Sequence, residues 1–176
     1  MSDDFLVSTP SLHNNVVSYL IDNAPVNFNI LLSSMGILYT EIDSLTDNAY
    51  LIHKEGAISQ YELVINSSLS DSFKRFLIAR ELGHYFMHKH LISRSINPFR
   101  ISSLGTRRSN PLIKEEHMIY ANRFACSILL PEKIVLEMIH KDWSISDIAN
   151  HFKVSSVATK ARVNQLKGLK NPLSLS

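Results

Sequence analysis

The sequence predicts an α+β fold, with a small three-stranded antiparallel sheet packed on a helical core and a C-terminal helix-turn-helix-like tail. Three observations carry that prediction. Short runs rich in branched and aromatic residues, ILYTEI (37–42), AYLIHK (49–54) and SQYELVINSS (59–68), are separated by turn signals at Thr46-Asp47-Asn48 and Glu55-Gly56. Longer stretches with apolar residues at helical spacing flank these runs on both sides. The closing stretch WSISDIANHFKVSSVATKARVNQLKGL reads as helix, tight turn, helix, with Ser144 and Ser155 as caps.

Taken in order, SLHNNVVSYLIDN (11–23) sets Leu12, Val16, Tyr19 and Leu20 at helical spacing behind Ser11, which predicts an opening amphipathic helix. Pro25 interrupts it, and VNFNILLSSMG continues as a second helix ended by Gly36. After the three strands, Ser70 caps a long helix with Asp71 in its first turn, where a carboxylate complements the helix dipole. That helix, FKRFLIARELGHYFMHKH (73–90), is expected to carry Phe73, Phe76, Leu77 and Leu82 into the core. LISRSINPFRISSLGTRRSNPL then loses all periodicity and holds two prolines and four arginines, so it reads as a long flap facing a substrate or partner. Ile113 to Leu130 forms the next long helix, closed by Pro131, and a shorter one covers Glu132 to Ile139. Residues 1–143 are expected to form one domain, with 144–176 as a tail packed on it.

Composition limits the function classes. A chain of 176 residues that is 45% apolar supports one well-buried core and is short for two domains. One cysteine, Cys126, excludes an internal disulfide framework. It falls on an apolar helix face between Phe124 and Leu129, which predicts a buried thiol acting as a small hydrophobe. No apolar run reaches the roughly 18 residues that span a bilayer. The start MSDDFLVSTP is acidic and unlike a secretory signal, so a cytoplasmic location is expected. Charge is lopsided: nine acids face one base up to Ser72, whereas 17 bases face seven acids from Phe73 onward. A basic surface for an acidic protein or for nucleic acid follows from that asymmetry.

The central helix carries the chemistry. Residues four apart stand one above the other, so Arg80, Glu81, His84 and His88 share one side. An H-E-x-x-H frame lets two histidines grip a metal while the glutamate activates a bound water. In this chain the frame reads Arg80-Glu81-Leu82-Gly83-His84, with arginine in the first histidine position.

Three blocks resemble the ImmA/IrrE family of zinc metallopeptidase domains, associated with cleavage or relief of helix-turn-helix repressors in phages, mobile elements and stress responses. YELVINSSLSDSFKRFLIARELGHYFMH is similar to the family's strand, turn and R-F-x-x-A-H-E-L-G-H-x-x-x-H. YANRFACSILLPE resembles E-x-x-A-N-x-F-A-x-x-L-L-x-P, and IANHFKVSSVATKARVNQL resembles the family's helical tail. The likeness runs over about Ile58 to Leu166 and implies a zincin-like helical core. By it, Glu81 holds the general-base position and His84 one zinc-ligand position. The other two ligand positions are Arg80 and Met118.

Neither replacement does a ligand's work. Arginine stays protonated and offers no lone pair, and a methionine thioether suits catalytic zinc poorly. Removing a dication and one carboxylate leaves a pocket short of one positive charge, which Arg80 supplies while Met118 fills the vacated volume. The expectation is a metal-free pseudo-metallopeptidase that needs no cofactor and binds a helix-turn-helix regulator as an antirepressor or co-regulator. An alternative keeps a zinc endopeptidase with a displaced ligand set, His84 and His88 with Glu115 or His117. A second alternative is DNA binding by the tail, which from Ile148 to Ser176 has no acid and five bases. Expected partner contacts are Arg94, Arg100, Arg107 and Arg108 in the flap, and Lys160 and Arg162 in the tail.

Overall fold

The structure, a computed structural model, describes residues 20, 22, 24–43, 45, 47–54, 56–92 and 114–170. Most of the expected opening helix and the flap from residue 93 on, with Arg94, Arg100, Arg107 and Arg108, lie outside the described residues, whereas Leu91 and Ile92, expected to open the flap, end the long helix instead. Helix α1 (Phe28–Ser34) is capped by the Asn27 side chain, which accepts from the Ile30 N–H at 3.3 Å. It buries Phe28, Leu31 and Leu32 and stops where Gly36 turns the chain at φ +66°, a left-handed conformation that glycine adopts without strain.

Strands β1 (Ile37–Ile42), β2 (Ala49–His53) and β3 (Tyr61–Asn66) form one sheet in the order β1-β3-β2. The sheet is mixed, which corrects the expected all-antiparallel arrangement. β2 pairs antiparallel with β3, Ala49 opposite Ile65, whereas β1 runs parallel to β3 with Ile37 opposite Tyr61. Burial explains the order. Glu62, Leu63, Val64 and Ile65 are buried in succession, so β3 is covered on both faces and takes the centre. β1 leaves Leu38 and Ile42 exposed and takes an edge. Because β1 and β2 are mutually antiparallel, the segment 43–48 has only to step across the place of one strand, about 10 Å.

Helix α2 (Asp71–Ile92) packs on the sheet, and α3 (Glu115–Leu129) packs on α2. The Ser70 carbonyl accepts from the N–H groups of Phe73 and Lys74 at 3.0 and 2.9 Å, opening α2 where the sequence placed its start. A Cβ built on Gly83 would stand 3.1 Å from the backbone of Ala121 and 3.2 Å from the Phe124 ring, so glycine is what lets the two helices approach. Leu77, Ile78, Ala79 and Leu82 of α2 join Leu51, Leu63 and Ile65 of the sheet and Ala125 and Ile128 of α3 in the main core.

Two expectations about that core fail. Phe73 is 39% exposed, because it falls in the first turn of α2, beyond the edge of the sheet-covered surface. Cys126 is exposed, because the buried side of α3 is set by Ala121, Phe124, Ala125 and Ile128, and position 126 turns away from it.

Helices α4 (Glu132–His140), α5 (Ile145–Phe152) and α6 (Ser156–Lys170) enclose a second cluster of Leu130, Val135, Met138, Ile148, Phe152, Val163 and Leu166. Val154 touches both clusters. The two serine caps form as the sequence predicts. Ser144 and Asp147 make a reciprocal capping box on α5, and the Ser155 hydroxyl accepts from the Ala158 N–H at 3.2 Å. No helix among the described residues is long and apolar enough to cross a membrane.

Candidate functional site on the central helix

The middle of α2 buries four polar side chains in a row: Arg80 is 5% exposed, Glu81 and His84 0%, and His88 2%. Charged side chains are buried this completely only when something compensates them. Arg80 and Glu81 compensate one another, with Arg80 Nη2 donating to Glu81 Oε1 at 2.9 Å and Nε at 3.3 Å. The guanidinium therefore lies folded against the carboxylate in the general-base position.

The histidines form a chain. Nδ1 of His84 and Nδ1 of His88 are 3.1 Å apart, so one ring donates there and the other accepts. The His88 ring lies 4.6 Å from that of His117, centroid to centroid, which brings the facing helix into the cluster. His117 is also the reciprocal cap of α3, its Nδ1 accepting from the Lys114 N–H at 2.9 Å. Met118 is half-buried and packs against the main core. Glu115 is exposed at the start of α3.

Within the row, two buried atoms have no hydrogen-bond partner among the described residues, Glu81 Oε2 and His84 Nε2; Arg75 Nε, a turn and more before the row, is the third such atom. The electrostatics follow from that enclosure. Burial pushes the Glu81 carboxyl up to about 7, outweighing the adjacent Arg80 guanidinium, which pulls the other way. His84 is held far below the ordinary imidazole range, first by burial and then by His88, Arg80 and His117 nearby. At neutral pH it is a neutral ring.

The donor set does not fit a zinc ion held as the family resemblance implies. A guanidinium occupies the first ligand position and brings a positive charge to the place where the cation belongs. Among the described residues, no three His, Cys, Asp or Glu side chains are arranged so that they could hold a metal ion.

The sequence foresaw the row Arg80, Glu81, His84, His88 but missed part of its surroundings. It grouped His117 with His88 across the two helices, and their rings do meet, but it did not anticipate the Gly83–Ala121 approach that sets the distance between the helices. Gly83 in the middle of a long helix was the readable signal, since glycine there weakens a helix unless close packing requires it. Also unforeseen was an aromatic run beside the row. His53 meets Tyr61 at 5.0 Å, Tyr61 meets Tyr85 edge-on at 4.9 Å, and Lys89 caps the Tyr85 ring at 5.8 Å. Of the tail residues, Lys160 is exposed, while Arg162 is half-buried and donates to the Leu130 carbonyl and to the Gln165 side chain.

A buried Glu-x-x-His pair on a long helix, backed by a facing helix and a small mixed sheet, defines a metallopeptidase-like class of domain. The family model of the IrrE N-terminal-like domain matches residues 33–164, and the chain belongs to that family. Among curated proteins it is 30% identical over 123 residues to Metallopeptidase ImmA of Bacillus subtilis (strain 168), covering 69% of this chain and 66% of the relative. It is 29% identical over 109 residues to Uncharacterized immunity region protein 2 of Bacillus phage phi105, covering 62% and 61%. The chain thus spans slightly less than two thirds of the length of either relative. A solved Mycobacterium tuberculosis transcriptional regulator shares the fold, with a TM-score of 0.55 at 16% identity over 89% of this chain and 47% of that one.

Proposed function

We propose that this chain is a pseudo-metallopeptidase that works without metal, binding a helix-turn-helix transcriptional regulator of the phage or mobile-element type as an antirepressor or co-regulator. Residues 1–143 form the zincin-like domain and 144–176 a helix-turn-helix-like tail packed on it. The observation that carries this reading is the buried contact between Arg80 and Glu81. A cation fixed to the chain sits against the carboxylate that would otherwise activate a metal-bound water. The names of the relatives, a metallopeptidase and a phage immunity-region protein, support a regulatory setting.

A second reading keeps an active zinc endopeptidase with a displaced ligand set, and one distance favours it. Two imidazole nitrogens bound to one zinc at about 2.0–2.1 Å stand little more than 3 Å apart. The two Nδ1 atoms of His84 and His88 are at 3.1 Å. His117, whose ring meets that of His88, would have to shift to supply the third donor, and Glu81, titrating near neutrality, would serve as base. DNA binding through the exposed Lys160 side of the tail is a third reading.

One co-expression experiment separates them. The chain is produced together with a candidate helix-turn-helix regulator. A stable complex, no cleavage and no effect of chelator support the pseudo-enzyme. Cleavage abolished by Glu81→Gln and by chelator refutes it, as does stoichiometric zinc in the purified protein. Binding to duplex DNA that falls steeply with salt would support the third reading.

A further inference from the structure

A second concave surface lies away from the buried polar row, between the first turns of α2, the end of α3 and the outer side of α6. It is an open groove of about 710 Å³. One wall is aromatic: Phe73 stacks on Phe76 with centroids 6.5 Å apart and rings 7° from parallel. The other wall is the face of α6 that carries Val157, Ala158 and Ala161, all exposed, while Thr159, Val163 and Leu166 on its other side enter the core. Val157 is 81% exposed. Leu129 and Leu130 form the floor, with Cys126 exposed at its edge.

Concave apolar surface of this extent on a folded chain marks a contact site rather than scattered exposure. Its chemistry selects the occupant. Among the described residues that line it, Arg162 is the one charged side chain. That guanidinium is held in place by two neutral oxygens, the Leu130 carbonyl at 3.3 Å and the Gln165 side chain at 2.9 Å, so its charge is positioned but not neutralised there. Helix α6 carries Lys160, Arg162, Lys167 and Lys170 and no acid. The complement is anionic.

Backbone chemistry narrows the choice further. An extended peptide laid in an apolar groove between helices finds no sheet edge, and its N–H and C=O groups would be buried without partners. A helix satisfies its own backbone and presents a ridge of side chains at i, i+3, i+4 and i+7. We propose that this groove receives one amphipathic helix of a protein partner, apolar ridge inward, with a carboxylate set against Arg162. The inference does not depend on the state of the α2 site.

The test uses the full chain and a fluorescein-labelled helical peptide with leucines at i, i+3, i+4 and i+7 and glutamates on its remaining face. A control peptide carries lysines in place of the glutamates. Saturable binding of the acidic peptide is expected in fluorescence anisotropy. Val157→Lys, or maleimide capping of Cys126, should each weaken it about tenfold or more, the loss typical of a residue inside a buried contact. Arg162→Gln should erase the preference for the acidic peptide, and added zinc or chelator should change nothing, which keeps the result separate from the reading of the α2 site. Val157 is exposed, so an unchanged thermal melt of Val157→Lys confirms that the fold is intact.

Several results overturn the proposal: no binding, equal binding of the lysine peptide, or binding indifferent to Val157→Lys. A dimer abolished by Val157→Lys would assign the groove to a second copy, and displacement of the peptide by stoichiometric long-chain fatty acid would assign it to a lipid.

Discussion

The middle of α2 and the tail α4–α6 solve the problem of polar groups on helices in opposite ways. In the tail, polar side chains work at helix ends: Ser144 with Asp147, and Ser155 with the Ala158 N–H. Each satisfies a backbone group that water could also have reached. In α2, four polar side chains sit in the interior of the helix, and two of their atoms find no partner. Capping stabilises the segment that carries it. A buried polar row costs its segment stability, because each desolvated group must recover its lost hydration from a few neighbours, and such a cost is kept where a function requires the row. The contrast marks α2 as the functional element and makes its energetics separable from those of the tail.

The largest expected effect comes from breaking the one compensation that the row has. Arg80→Met leaves Glu81 fully buried without a cation, and loss of one partner from a buried pair typically costs about 3–5 kcal/mol. The loss should depend on pH. Glu81 titrates near 7 in the folded chain, above the ordinary carboxylate range, so between the two values the folded state holds more proton than the unfolded one. Its contribution is complete at low pH and falls as pH rises through the folded value. Without Arg80 the folded value rises further, which extends the loss upward. His84 works in the other direction, since its depressed value lowers stability only as pH falls through the ordinary imidazole range. Denaturant titrations of Arg80→Met from about pH 7.5 to 9, where His84 is neutral in both states, should therefore show a falling midpoint, steeper than in the parent chain. A flat profile would mean that Glu81 is not the group that Arg80 holds.

Next in size is reversal of the ligand losses. Arg80→His alone restores one donor but leaves Met118 opposite, and tight zinc binding should not return. Arg80→His with Met118→Glu restores both donors and the charge balance. Zinc at about a hundred times its dissociation constant then raises stability by about 2.7 kcal/mol. Calorimetric titration with zinc, read beside the melting temperature, checks both variants. Tight binding by the single variant would break the argument that Arg80 and Met118 form one adaptation.

Packing between the two helices comes third. Gly83→Ala places a methyl 3.1 Å from the Ala121 backbone, which cannot rotate aside as a side chain would. A loss of about 1–3 kcal/mol is expected, the range for a forced methylene in a well-packed contact. The gain of about 1 kcal/mol in helix propensity that alanine brings elsewhere should not appear. A stabilised variant in thermal unfolding would show that α2 and α3 are less tightly apposed.

Much of this was legible in the sequence, for reasons that differ between the regions. Local rules located the tail, since caps and 3.6-residue spacing act within a few residues. They also located β3 and the polar row. They missed the parallel pairing of β1 with β3, because strand order depends on which strand is covered on both faces, a property of the assembled layers. They misplaced Phe73, which sits in the first turn of α2, and Cys126, whose helical phase turns it from the core; both line the groove. The row Arg80, Glu81, His84 and His88 was readable, and so was His117 as a candidate neighbour; the close helix approach at Gly83 that sets their spacing was not.

The smallest effect tests the other half of the comparison. Ser144→Ala removes the hydroxyl that accepts from the Asp147 N–H at 3.1 Å and meets the Asp147 carboxylate at 2.6 Å. Loss of an N-cap costs about 1 kcal/mol. Because this cap belongs to α5 and the second cluster, the loss should be independent of pH between about 7.5 and 9 and additive with Arg80→Met, as separated sites are to within about 0.5 kcal/mol. A double-mutant cycle in chemical denaturation measures that sum. Coupling well beyond this limit would mean that the tail and the polar row report on one another, so that the helix-end chemistry of α5 reaches the site on α2.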